Sequence, residues 1–161
     1  MKRAAGFTLI ELVIVIVILG ILGAVAAPRF LNLQGDAYSA NLKALKSSME
    51  TASTLANSKA IIQGLDNQGR DADADDAPVE LKYNDAGEEV TVSIVYGYPT
   101  AEEDTGIKSL LDFDATYNTN VTDDGVFEIY PANRAENCKV TYTEPDSFGK
   151  RPTIAIVDDK C

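Results

Sequence analysis

The chain has 161 residues with 14 Lys and Arg against 25 Asp and Glu, a net charge of −11, and no histidine. The acidic balance excludes nucleic acid as a main partner, because phosphate binding needs a positive face. The lack of histidine removes His general bases, Ser-His and Cys-His nucleophile pairs and His-containing metal sites.

The first element is an apolar helix. Lys2 and Arg3 precede it, and between Phe7 and Ala27 only Glu11 is charged. A helix over that stretch spans roughly 31 Å, about one bilayer core. Basic residues before it and the acidic mass after it place the N-terminus in the cytoplasm. Three readings compete. A secretory signal peptide would be cut before Ala27, after the "AVA" of 24–26, but Glu11 then sits within the apolar region and Pro28 just past the cut. A plain membrane anchor explains the length and leaves Glu11 unexplained. A precursor that loses only its short basic leader, after Gly6, would keep the whole apolar helix.

The run "KRAAGFTLIELVIVIVILGILGAVAAP" closely resembles the N-terminus of type IV prepilins: Gly before Phe, then T-L-I-E, then an apolar helix. The resemblance implies cleavage between Gly6 and Phe7 by an inner-membrane prepilin peptidase, N-methylation of Phe7, and assembly of the chain into a helical homopolymer by inner-membrane machinery. It also gives Glu11 a physical role. A carboxylate among helices packed in a fibre core must find a partner or protonate. Its natural partner is the α-amine of Phe7 on a neighbouring subunit. A misregistered subunit would leave both charges buried and unpaired, at a cost of about 3–5 kcal/mol, so Glu11 is expected to act as a register device. Gly20 and Pro28 are weak points of the same helix: glycine costs about 1 kcal/mol against alanine, and the proline removes a hydrogen bond and strains its turn. The family implies that 20–28 unwinds as the subunit enters the fibre; a tolerated membrane-helix kink is the plainer alternative.

Helical spacing continues from Arg29 to Gln63. Phe30, Leu33, Ala37, Ala40, Ala44, Ala52, Ala56 and Ala60 recur at three- and four-residue steps, thickened by Leu45, Met49 and Ile61, while Lys43, Lys46, Ser47 and Glu50 face away. Gly64 is a stop signal. The helix is expected over 7–63, with a globular domain beginning near Arg29 and packing on its second half. Residues 64–89 read as an acidic surface loop. Asp71, Asp73, Asp75 and Asp76 offer oxygen ligands to Ca²⁺, but their spacing is not that of an EF-hand, and a solvated loop is the preferred reading. No metal site and no cofactor are expected.

Short alternating runs follow at 90–95, 126–130, 138–143 and 153–157, with turn material at Asp124-Gly125 and from Glu144 to Pro152. Between the first two runs a short helix is expected, with Thr100 and Glu103 as its capping box and Ile107, Leu110 and Leu111 as its apolar face. The pattern is α+β: a long N-terminal helix on an antiparallel sheet of about four strands. Cys138 and Cys161 cannot make an ordinary zinc site without histidine. In an exported chain a disulfide is favoured over two buried thiols, since Cys161 ends the sequence and an untethered terminus frays. It would close a loop of about 24 residues and contribute about 3.4 kcal/mol on the chain-entropy account. Tyr83, Tyr96, Tyr98, Tyr117, Tyr130 and Tyr142 are numerous enough for a glycan platform, though core packing explains most of them. Asn120-Val121-Thr122 is a sequon in form only. No constellation suggests catalysis, and the chain is read as a non-enzyme.

"PRFLNLQGDA", "YGYPTA", "CKVTYTE" and "IAIVDDKC" resemble the mannose-sensitive haemagglutinin (MSHA) type of these pilins over the helix and the C-terminal third. That resemblance implies a Cys138–Cys161 disulfide fastening the C-terminal loop, attachment to extracellular surfaces or glycans, early biofilm formation, and fibre extension and retraction by cytoplasmic ATPases. Residues 64–89 and 114–125 resemble nothing recognised and read as surface loops. The resulting organisation is a leader over 1–6, a membrane and fibre-core helix over 7–28 and a globular domain over 29–161, passing from inner-membrane precursor to extracellular fibre. The alternative within the same leader class is a pseudopilin of a type II secretion system. The alternative outside it is a secreted binding protein with a conventional signal peptide.

Overall fold

The computed structural model describes residues 7–69, 79–85, 88–122, 124–132, 137–159 and 161, with side chains at all of these except 31, 32 and 79–89. Gly6 and the aspartates at 71, 73, 75 and 76 fall outside the described residues. The element order is α1 (Leu9–Gln63), β1 (Val79–Asp85), β2 (Glu88–Val95), β3 (Tyr98–Pro99), a 3-10 helix (Ile107–Leu110), β4 (Tyr117–Thr122), β5 (Val126–Pro131), β6 (Lys139–Thr143) and β7 (Thr153–Val157). The chain divides into two compact units, Met1–Ala37 and Tyr38–Cys161. The expected α+β class holds, with a long helix followed by an antiparallel four-stranded sheet.

The first unit is the apolar part of α1. An 18-residue window of it has a mean hydropathy of 3.0 and none of it is buried, so α1 is long and apolar enough to cross a membrane. Phe30, Leu33 and Ala37, expected on the packing stripe, are exposed. The second unit begins at Tyr38, not near Arg29.

In the second unit the helix buries much of the expected stripe, Leu45, Met49, Ala52, Ala56 and Ala60, but adds Leu42 and leaves out Ala40, Ala44 and Ile61. Leu42, Met49, Ser53, Ala56 and Ala60 are buried, with Tyr38, Leu45 and Ala52 half-buried beside them; Ala40, Ala44 and Ile61 are exposed. The steps from 38 through 42, 45, 49, 52, 56 and 60 are all three or four residues, which keeps one face of a 3.6-residue helix inward. The large side chains Leu42 and Met49 set that face; the exposed alanines are surface helix formers. The helix ends in a Schellman arrangement: Gly64, at φ 71°, donates to the Ile61 carbonyl at 3.1 Å and Leu65 N–H donates to the Ala60 carbonyl at 2.9 Å.

Two antiparallel sheets meet this stripe. The four-stranded sheet runs β4-β5-β6-β7 in chain order. Residues alternate in and out along β5 and β6, burying Phe127, Ile129, Val140 and Tyr142. These pack with Leu42, Met49 and Ile107 into the larger core cluster. The three-stranded sheet runs β1-β2-β3, and its Val92 and Ile94 pack with Ala56 and Ala60 in a second cluster. The alanines at 56 and 60 let the sheet approach the helix closely. The strand at 90–95 therefore belongs to a separate sheet, and the fourth strand of the larger sheet is β4, inside the stretch 114–125 expected to be loop. β1 likewise lies inside the stretch 64–89.

Strand β2 turns into β3 through Tyr96-Gly97, whose φ values of 49° and 81° give the two-residue turn that matches strand twist. The expected capping box does not form. Thr100 N–H donates to the Ser93 carbonyl at 2.9 Å and Ile107 N–H donates to the Thr100 carbonyl at 2.9 Å. The 3-10 helix starts only after Gly106, without a side-chain cap. Glu103 instead accepts hydrogen bonds from Lys108 at 2.8 Å and Thr119 at 2.9 Å. Thr100 is drawn into the β2–β3 pairing and is wholly buried, so its hydroxyl is unavailable to a helix end.

Candidate assembly site

The N-terminal site is built from the first turn of α1. Thr8 precedes the helix at the cap position and Glu11 is its third residue. The Thr8 backbone N–H donates to Glu11 Oε2 at 2.9 Å, the Thr8 hydroxyl donates to the same oxygen at 2.7 Å, and Glu11 N–H donates to Thr8 Oγ1 at 3.4 Å. This is a reciprocal capping box, satisfying N–H groups that a helix start leaves unpaired. The carboxylate also sits at the positive end of the helix dipole. Glu11 thus has a local function that its position in an apolar run conceals, and Thr8 is the functional residue missing from the sequence reading. The signal was present, since T-x-x-E at 8–11 is the capping-box spacing.

Around this polar turn everything is exposed and apolar. Exposure along the segment runs from 42 % at Val13 to 82 % at Phe7. Glycines 20 and 23 open onto free space, since a Cβ at either would meet nothing within 4 Å. Pro28 lies inside α1, which stays helical across 20–28. Phe7 and Glu11 are brought within one turn of each other; Gly20 and Pro28 lie farther along the same helix.

The second feature fastens the C-terminal segment. Cys138 and Cys161 form a disulfide, with Cα atoms 4.9 Å apart and a sequence separation of 23. Both cysteines sit in the larger core cluster. Just before Cys161, Asp158 accepts a hydrogen bond from the Ser39 hydroxyl at 2.6 Å and lies 3.6 Å from the Lys43 ammonium. The Ser39 hydrogen bond, helped by Lys43, holds the Asp158 carboxyl below its ordinary range. The two sheets are tied together by Tyr142, whose buried hydroxyl donates to the Pro99 carbonyl at 2.7 Å, and by Glu144, which accepts from Ala101 N–H at 2.8 Å. Burial, with the Glu144 charge nearby, pushes the Tyr142 hydroxyl well above its usual range, so it stays a donor. Among the described residues no group of acidic or cysteine side chains is arranged to hold a metal ion.

Residues 1–27 match the prokaryotic N-terminal methylation motif. Over 58 residues, 36 % of this chain, the sequence is 52 % identical to the type IV narrow pilus major component PilA5 of Thermus thermophilus. The chain spans half the length of that relative. No solved structure matches significantly.

Proposed function

We infer that this chain is a structural subunit of a type IV pilus, and its major subunit. The observation that carries the reading is the methylation motif over 1–27, which overlaps the start of α1, whose 18-residue apolar window is wholly unburied in the single chain. Such a surface needs lipid or other copies of itself. The name of the PilA5 relative, a major component of a narrow pilus, supports the same reading. On it, the leader through Gly6 is removed by a prepilin peptidase and Phe7 is N-methylated. The helix then passes from the inner membrane into the fibre core. There the Glu11 carboxylate meets the Phe7 amine of a neighbouring subunit, and 20–28 is the stretch that yields. The fibre attaches the cell to external surfaces or glycans in the MSHA manner, at the start of biofilm growth.

Mass spectrometry of the mature N-terminus tests the processing: a methylated Phe7 supports it, and a chain beginning at Ala27 overturns it. Electron microscopy of cells lacking the gene tests the role. Loss of long surface fibres supports a major pilin; intact fibres with lost protein secretion would mark a secretion pseudopilin.

A further inference from the structure

A cleft of about 380 Å³ opens in the second unit between α1, β3 and the approach to β7, within the size range of small-molecule sites, about 300–1,000 Å³. Glu50 and Asn57 line it from the helix, Tyr98 from β3, and Arg151 and Pro152 from the approach to β7. The hydroxyls of Ser53 and Thr54, also in its wall, are occupied by the Glu50 carbonyl at 3.1 and 2.7 Å. Asn57 Nδ2 donates to the Gly97 carbonyl at 3.3 Å, so the groups left for a ligand are the charged and aromatic ones and the Asn57 amide oxygen.

Arg151, like Arg29 in the first unit, has no ion-pair partner among the described residues. Lys43, Lys46, Lys108, Lys139 and Lys150 each pair with a carboxylate. Among the described residues Arg151 enters no ion pair and no hydrogen bond, and the Tyr98 hydroxyl is likewise unengaged. Glu50 shares the cleft with Arg151 and yet pairs with Lys46, at 3.7 Å. Arg151 and Glu50 thus line one small cleft without pairing with each other.

That arrangement selects a ligand with an anionic group and a separate set of hydroxyls. A planar carboxylate fits the guanidinium fork bidentately. Hydroxyls donate to the Glu50 carboxylate and bond to the Asn57 amide, and the C–H face of a sugar ring lies against Tyr98 and Pro152. A phosphate or dicarboxylate would bring a second negative charge against Glu50, and a neutral hexose would leave Arg151 unused. We propose that this cleft binds the terminal hexuronic acid of an acidic polysaccharide. The inference gives a chemistry to the attachment described above and takes only its setting from that reading. The single chain binds or fails to bind whether or not fibres form.

The test is equilibrium titration of the full chain in detergent micelles with glucuronic acid, glucose and inorganic phosphate, read by ligand-observed NMR. Glucuronic acid is expected to bind about tenfold or more tightly than glucose. Arg151→Gln, at an exposed position, is expected to reduce its affinity to the glucose level without changing the melting temperature. Equal affinity for the two sugars, unchanged glucuronate binding by Arg151→Gln, or tighter binding of phosphate would each overturn the proposal.

Discussion

At the scale of single residues, Glu11 carries two demands that different measurements separate. In the isolated chain it closes the first turn of α1 with Thr8; in a fibre it would answer a neighbour's amine. Glu11→Val is expected to leave the protein in the membrane fraction but to lower the yield of sheared fibres severely, because the cap is a local matter worth about 1 kcal/mol and a lost register partner costs several. Normal fibre yield from that variant would remove Glu11 from the assembly mechanism. Tyr142 offers a cleaner stability measurement. Tyr142→Phe removes a donor from the buried Pro99 carbonyl, so a loss of about 1–3 kcal/mol is expected in denaturant unfolding. Asp158 makes a pH prediction. Its carboxyl is held below the ordinary 3.8, so the unfolded chain takes up this proton first as pH falls. The contact with Ser39 and Lys43 therefore stabilises the fold above about pH 4 and is lost progressively below it. The melting temperature should fall between pH 7 and pH 3, and Asp158→Asn should lower the neutral value and shrink that fall. Glu103, held low by Lys108 and Thr119, contributes in the same direction.

Secondary-structure elements were legible where a strong local signal had no competitor. Gly64 ends the helix as its position predicts, and the 153–157 run is β7 to the residue. β4 escaped because "YNTNVT" is mostly polar; it is a strand by virtue of six register partners on β5, which is information carried by β5 and not by itself. The Thr100–Glu103 spacing failed for the converse reason: a tertiary hydrogen bond to Ser93 claimed the residue that should have been the cap. At residues 8–11 the same type of motif succeeds, because no other element contests it. In the α1 stripe, Leu45, Met49, Ala52, Ala56 and Ala60 were legible, while Leu42 was missed because the repeated alanines at 40 and 44 share the same three- and four-residue spacing. For the β6–β7 region, which the disulfide encloses, Cys138→Ser with Cys161→Ser is expected to cost about 2–4 kcal/mol in chemical denaturation. An effect below about 0.5 kcal/mol would mean that packing alone holds the segment.

On the scale of the whole molecule, solubility divides at Ala37 and Tyr38. The core clusters are built from residues after that boundary, and the exposed apolar run lies before it. A fragment of residues 38–161 is therefore expected to be monomeric in detergent-free buffer and to melt cooperatively, while the full chain requires detergent or lipid. Aggregation of the fragment would show that the first unit shields something in the second. The order β4-β5-β6-β7 adds a kinetic consequence. Each of β5, β6 and β7 pairs with the strand made just before it, so each pairing closes only a short stretch of chain and carries a small entropic barrier. A chain that emerges from its N-terminal end can thus lay the sheet down strand by strand, with no strand of that sheet left waiting for a distant partner.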